Sequence, residues 1–212
     1  MIRTIVWDFN GTVLDDRGAS TAAVNHMMAR RGLGAITEEW YAANLIMPLE
    51  AFYESVGFDM RVERIERLSE EFQQECAKVE RPIFPEVRLA LEQLRQKGYR
   101  QLLFSSLHQS ILEKQAKERG ISKYFEKIMG RSDRLLGSKE EASKAYLLQE
   151  EIPPETVLFV GDLTTDWEMA EYVGSPCVLI PKGHQGRERL SLTNATILKD
   201  ASELLDFLKE ME

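Results

Sequence analysis

Cysteine, aromatic side chains and positive charge are all scarce in this chain of 212 residues. Its two cysteines, Cys76 and Cys177, lie far apart and have no metal-type spacing, so two free, buried thiols are expected rather than a disulfide or a zinc site. Lysine and arginine number 27 against 35 aspartates and glutamates, a formal charge of -8. Such a chain repels a polyanion overall unless its basic residues cluster, so nucleic-acid binding is not expected. Long apolar runs are also missing: stretches such as Leu102–Phe104 and Val157–Val160 fall far short of the roughly 18 residues that span a bilayer. Met1 leads directly into the strand-like run Ile2–Phe9, unlike the basic, apolar and small-residue succession of a secretory leader. A cytoplasmic location with no membrane partner is the default expectation. What remains, 43% hydrophobic and 29% charged, is the profile of a globular protein of one large domain or two small ones.

Five short runs rich in Val, Ile, Leu and Phe read as buried parallel strands: Ile2–Phe9, Arg100–Phe104, Phe125–Met129, Val157–Val160 and Cys177–Ile180. Helical spacing fills the intervals. Val87, Leu91 and Leu94 precede a stop at Gly98, Ile111–Arg119 stops at Gly120, and Thr165–Val173 stops at Gly174. Ser138 with Glu141 three residues on reads as a capping box opening a helix that carries Ala142, Leu147 and Leu148 before Pro153 and Pro154. Alternating strands and helices predict an α/β fold with a doubly wound parallel sheet, because each parallel crossover needs a connecting helix. Residues 16–82 break the alternation. They offer helices over Thr21–Arg31, Thr37–Ile46, Pro48–Val56 and Arg61–Val79, the last with Val62, Ile65, Leu68, Phe72, Cys76 and Val79 along one face. The simplest account is a small all-helical domain inserted after the first strand, with Pro82 and Pro85 marking the return. The expected division is 1–15 with 83–212 for the α/β domain and 16–82 for the helical one.

Three features fall at the C-terminal ends of predicted strands, where an open α/β sheet places its ligand crevice. Asp8, Asn10, Gly11 and Thr12 follow the first strand, Ser105 and Ser106 the second, and Gly161, Asp162 and Asp166 the fourth. Each has a plain structural alternative: Asp8 as a turn cap, Ser105 as a strand end, Asp162 or Asp166 as a helix cap. Lys139 adds an oddity, since it occupies the first turn of a predicted helix, where the macrodipole disfavours a cation. Either Glu140 and Glu141 offset it locally, or carboxylates and a bound phosphate do so across the sheet edge.

In this order and spacing, Asp8 with Gly11 and Thr12, then Ser105, Lys139, and Gly161 with Asp162 and Asp166 resemble the four motifs of the haloacid dehalogenase superfamily, across essentially the whole chain. The insertion resembles that family's C1-type cap, and the phosphoglycolate phosphatase-like hydrolases look nearest. The resemblance implies a Rossmann-like core, Mg²⁺-dependent phosphoryl transfer through an aspartyl-phosphate, and a small phosphorylated substrate, taken by a monomer or small homo-oligomer. It makes Asp8 the nucleophile; Asp8, Asp162 and the Asn10 carbonyl Mg²⁺ ligands; and Asp166 a support for a metal-bound water or for Lys139. Ser105, Ser106, Lys139 and the Gly11 backbone would grip the phosphoryl group. Chemically the set is coherent: a carboxylate attacks phosphorus only when the phosphoryl charge is screened, and Mg²⁺ takes oxygen ligands. Lys144 is the rival to Lys139.

One position departs from the phosphatase pattern, which carries a second aspartate where this chain has Asn10. An amide cannot shuttle a proton, and acid–base catalysis contributes roughly 10²- to 10⁴-fold. Good leaving groups should therefore be favoured, and Asn10→Asp should raise hydrolysis. Two other readings follow: a phospho-ligand binding or regulatory protein with weakened turnover, or, ranked lower, a dehalogenase- or phosphonatase-type hydrolase. Loop residues Lys182–Gly186 follow the fifth strand, and His184 there could touch substrate or act as a substitute base, although an exposed loop histidine is the plainer expectation. His26 and His108 are weaker candidates. Among Asn25, Arg30, Arg31, Asn44 and Tyr53 nothing marks one as choosing the substrate.

Overall fold

The structure, a computed structural model, describes residues 1–131 and 139–211. Its sheet contains, in spatial order, β3 (Lys127–Arg131), β2 (Arg100–His108), β1 (Thr4–Trp7), β4 (Val157–Gly161), β5 (Cys177–Leu179) and β6 (Thr196–Ile197), all parallel. Side chains alternate across it, as strand geometry requires. Ile5, Trp7, Leu103, Leu158, Val160 and Val178 face one apolar layer, where α5 (Pro85–Gln96), α6 (Gln109–Glu118) and α9 (Leu204–Glu210) pack. Val6, Leu102, Phe104, Phe159 and Leu179 face the other, covered by α7 (Lys139–Gln149) and α8 (Thr164–Val173). The result is the expected three-layer α/β architecture.

The helical insertion after β1 is also present. It begins with α1 (Arg17–Ala29), α2 (Glu38–Asn44), α3 (Leu49–Ser55) and α4 (Ile65–Cys76). These close over an apolar cluster of their own that includes Met27, Tyr41, Phe52, Phe58 and Leu68. α5 follows in the chain but belongs to the sheet layer through Val87, Leu91 and Leu94. Where the chain leaves and re-enters the sheet layer, the two passes lie side by side: Leu14 bridges Ile83, and the Asp15 N–H donates to the Pro82 carbonyl at 2.8 Å.

Several element limits differ from expectation for identifiable reasons. β2 continues past Phe104 to His108 with an irregular register against β3, so Ser105 and Ser106 lie inside the strand's irregular end rather than beyond it. β3 starts two residues later than expected. The last helix of the insertion is shorter than its apolar pattern: Asp59 accepts from the Arg61 N–H and guanidinium, fixing a turn there, and Val62 is 77% exposed. β6, with two residues, is too short for any periodicity. α1 begins at Arg17, four residues before its predicted start. The Ser138 capping box lies outside the described residues, although the helix it was expected to open begins at Lys139. Both cysteines are free and buried, as expected. Among the described residues no helix is long and apolar enough to cross a membrane.

Candidate active site

The chain winds from β1 outward through β2 and β3, then returns to lay β4 on the opposite side of β1. That reversal opens a crevice between the C-terminal ends of β1 and β4. Trp7 pairs with Val160, so the first residues beyond the strands, Asp8 and Asp162, emerge side by side. Asp8 is held by its own N–H, which donates to the Val160 carbonyl at 2.9 Å.

Lys139 reaches this crevice from the first residue of α7. Its Nζ lies 2.6 Å from Asp8 Oδ1 and 3.4 Å from Asp166 Oδ1. The cation at an unfavourable helix start is therefore compensated across the sheet edge, not by Glu140 and Glu141 alone. Its rival Lys144 is elsewhere, donating to the Tyr172 carbonyl and lying over that ring. Asp166 has two tasks: Oδ2 accepts from the Asp162 and Leu163 N–H groups, both at 3.1 Å, shaping the start of α8, while Oδ1 faces Lys139. Asp162 is fully buried, with Oδ1 accepting from the Thr12 hydroxyl at 2.8 Å and Oδ2 from the His184 N–H at 2.6 Å.

Asp8, Asp162 and Asp166 each offer an oxygen within 4.8 Å of the others. Were all three ionised, they would outnumber the Lys139 ammonium by two charges, so they compete for protons or for a cation. Burial pushes the Asp8 carboxyl upward and its acidic neighbours add to this, against the opposing pull of Lys139. Burial likewise raises Asp162, with Asp166 contributing. Lys139 moves upward too, because Asp8 and Asp166 outweigh the burial that would lower it. An over-negative, oxygen-lined hollow fits a hard divalent cation. Backbone shape agrees: Gly11, at φ +77°, and Gly183 both pass so close to the Asp162 carboxylate that a Cβ on either would overlap it.

Ser105 is buried in the same cavity wall, its Oγ accepting from the Leu107 N–H at 3.2 Å; Ser106 is exposed beside it. Asn10 is also there, but its amide Nδ2 donates to Asp16 Oδ2 at 2.5 Å. Asp16 accepts further from the Gly11 N–H at 2.8 Å and pairs with His184 Nε2 at 3.2 Å. The other ring nitrogen of His184 meets the Tyr41 hydroxyl at 3.2 Å. The exposed reading of His184 is thus overturned: the side chain is buried because α2 of the insertion closes on its loop. The Gly186 N–H and the Gln185 amide hold the Ala42 and Leu45 carbonyls, both at 2.9 Å. Burial alone would lower the His184 pKa, yet the Asp16 carboxylate raises it to about 9. Asp16 in turn is lowered, because His184, Asn10 and the Gly11 N–H outweigh its own burial.

Asp16 and Tyr41 were not anticipated. The only sequence signal at Asp16 is a doubled acid, Asp15–Asp16, at the start of the insertion. Of the insertion residues considered, Tyr53 lines the cavity, whereas Asn25 braces the Ile36 backbone and Asn44 donates to the Trp40 carbonyl. Arg30 and Arg31 pair with Glu63, Glu71 and Glu75. His26 lies against Glu75 and His108 against Ser110, both outside the crevice.

The pattern describing the haloacid dehalogenase-like hydrolases matches residues 5–180, most of the chain. The chain belongs to that family. A phosphoglycolate phosphatase from Photorhabdus laumondii is 26% identical over 223 residues, spanning 96% of this hydrolase and 91% of that one. A second, from Synechococcus elongatus, is 24% identical with 99% of each chain covered. Among solved structures, a haloacid dehalogenase-like family hydrolase from Streptococcus pneumoniae superposes with TM-score 0.74 at 19% identity, covering 98% of both chains. CbbY from Rhodobacter sphaeroides, solved in complex with phosphate, does so with TM-score 0.70 at 18% identity, covering 96% of both. These two structures share the fold of this hydrolase.

Proposed function

We propose that this hydrolase is a Mg²⁺-dependent phosphatase or phosphotransferase acting on a small phosphorylated metabolite through an aspartyl-phosphate at Asp8. The observation that carries the reading is the cluster of Asp8, Asp162 and Asp166 at the crevice between β1 and β4, three acids with Lys139 paired to Asp8 and Asp166. Curated relatives named phosphoglycolate phosphatase and a structural neighbour that holds phosphate support the same chemistry. Asp8, Asp162 and the Asn10 carbonyl would hold Mg²⁺, with Asp166 bracing Lys139 and the loop. The bound ion would supply positive charge that screens the phosphoryl oxygens from the attacking carboxylate.

A carboxylate oxygen of Asp8 forms the new P–O bond as the ester P–O bond breaks, and the leaving alkoxide departs with the bonding pair. Water then attacks phosphorus, breaking the Asp8–phosphoryl bond and releasing phosphate. Lys139, kept protonated by Asp8 and Asp166, holds the phosphoryl oxygens in both steps, with Ser105 and Ser106 beside it, whereas the Gly11 N–H, expected to share this task, already donates to Asp16. Asn10 offers no proton to the leaving oxygen, and its amide N–H is already committed to Asp16. The same commitment favours a second reading, a phospho-ligand binding protein with slow turnover. The division into a core of 1–15 with 83–212 and a cap of 16–82 belongs to this proposal, supported by the separate apolar cluster of the insertion and the paired crossing at Leu14 and Ile83.

The test is phosphate release from a panel of phosphorylated metabolites, with and without Mg²⁺, by the wild type and by Asp8→Asn. Release that needs both Mg²⁺ and the Asp8 carboxylate is expected. Release that survives Asp8→Asn contradicts the covalent route, and phosphate-competitive binding with no release favours the second reading.

A further inference from the structure

The acidic crevice is only one end of a cavity of about 280 Å³ that continues under the insertion. Its charged lining includes Asp8, Asp16, Lys139, Glu140, Asp166 and His184. The continuation is walled by Val24, Leu45, Phe52, Tyr53, Phe72 and Leu163, drawn from the insertion and from the start of α8. A two-carbon group like glycolate is too small to cover such a wall and would leave much of its apolar surface wet. A leaving group that fills the space removes that surface from water.

Arg81 is the single arginine in the described lining, and its Nε is buried with no hydrogen-bond partner among the described residues. A guanidinium in an apolar wall can be met by an oxygen acceptor or by the face of an aromatic ring, which draws cations to its electron-rich surface. The ring is the partner that also covers the apolar wall, including Phe52, Tyr53 and Phe72. We infer that the substrate is a phosphate monoester whose leaving group is an aromatic body, seated on the insertion's wall, in preference to phosphoglycolate. This rests on the phosphatase reading above and specifies the molecule attached to the transferred phosphoryl group.

Benzyl phosphate and phosphoglycolate isolate the leaving group's body, since both release an alkoxide on a carbon next to the ring or carboxylate. With Mg²⁺ and wild-type protein, kcat/KM is expected to be at least about tenfold higher for benzyl phosphate, the fold-change that corresponds to burying a modest part of one ring. Phe72→Ser should lower the ratio of kcat/KM for benzyl phosphate to that for acetyl phosphate by about tenfold, which a general loss of folding would not do. Phosphoglycolate turned over within tenfold of benzyl phosphate or faster, with both activities lost in Asp8→Asn, overturns the aromatic preference and leaves the phosphatase reading standing. An unchanged ratio in Phe72→Ser also overturns it. Failure of all three compounds to release phosphate in an Asp8-dependent way overturns the phosphatase reading itself.

Discussion

Two charge clusters sit back to back in this hydrolase and meet where the His184 N–H donates to Asp162. On one side, the acids Asp8, Asp162 and Asp166 cluster where Lys139, paired with Asp8 and Asp166, is the one cation among them in the described residues. On the other, one carboxylate, Asp16, meets one imidazolium, His184, and Tyr41, Asn10 and the Gly11 N–H complete their hydrogen bonds. The first cluster is incomplete by itself and fits a cation and a phosphoryl group. The second is balanced, and its ties to α2 and to the loop after β5 make it a fastening between insertion and sheet layer. Burial is shared; charge balance separates a site poised for a ligand from one that holds position.

Breaking the incomplete cluster should cost activity. Asp8→Asn is expected to reduce Mg²⁺-dependent phosphate release about 10⁴-fold or more, the scale seen when a nucleophile is removed. Without metal, its thermal midpoint should not fall below wild type, because one of three mutually repelling carboxylates is gone; parallel melting scans check this. A marked loss of stability would mean that the cluster is not over-negative.

Breaking the balanced cluster should instead cost stability. Asp16→Ala leaves a buried imidazolium unpaired and should destabilise by about 3–5 kcal/mol in urea unfolding. Asp16→Asn combined with His184→Gln should cost less than the two single changes added together, since the pair is coupled. Additive losses would contradict the pairing.

The balanced pair also sets a pH dependence. His184 is raised from 6.5 to about 9, so its contribution is fully present below about pH 6.5 and is lost as pH rises through 9. Asp16 is lowered from 3.8, so its share is present above that value and is lost as pH falls through the lower folded one. The unfolding free energy of the wild type from urea titration should therefore decline between pH 7 and 10, with His184 accounting for about 3 kcal/mol of the loss at most. His184→Gln should flatten that decline; an equal slope in the variant contradicts the assignment.

The smallest expected effect probes the boundary between the clusters. Asn10→Asp brings a carboxyl against Asp16, and the crowding of two acids should raise its pKa and keep it protonated, as a proton donor to the leaving oxygen requires. Turnover of alkyl phosphates should rise by about 10²-fold, the lower end for acid–base assistance. No gain under single-turnover conditions would mean that proton supply does not limit the reaction.

Much of the first cluster was legible because strand ends are legible: a short apolar run followed by Asp8 or by Asp162 declares both the element and the tip. Lys139 was legible through the electrostatic cost of its helix position. The second cluster was not, because its geometry exists only after α2 folds back onto the loop after β5. Nothing local to His184 distinguishes a buried histidine from an exposed one, and Asp16 reads as one more acid at the start of an insertion. Ser105 was found, but the irregular register that carries β2 onward to His108 depends on its neighbour β3. α4 ends where Val62 and Val79 continue the apolar stripe, since a stripe reports a face and not which turns of it are covered.

The most direct test of the account is to find where the phosphoryl group rests. Rapid quenching of the wild type with Mg²⁺ and acetyl phosphate, followed by peptide mapping in acid, should yield a phosphoryl adduct on Asp8 and on no other residue. The adduct should vanish in Asp8→Asn. Turnover with the label on a different side chain, or with none on the protein and undiminished in Asp8→Asn, would contradict it.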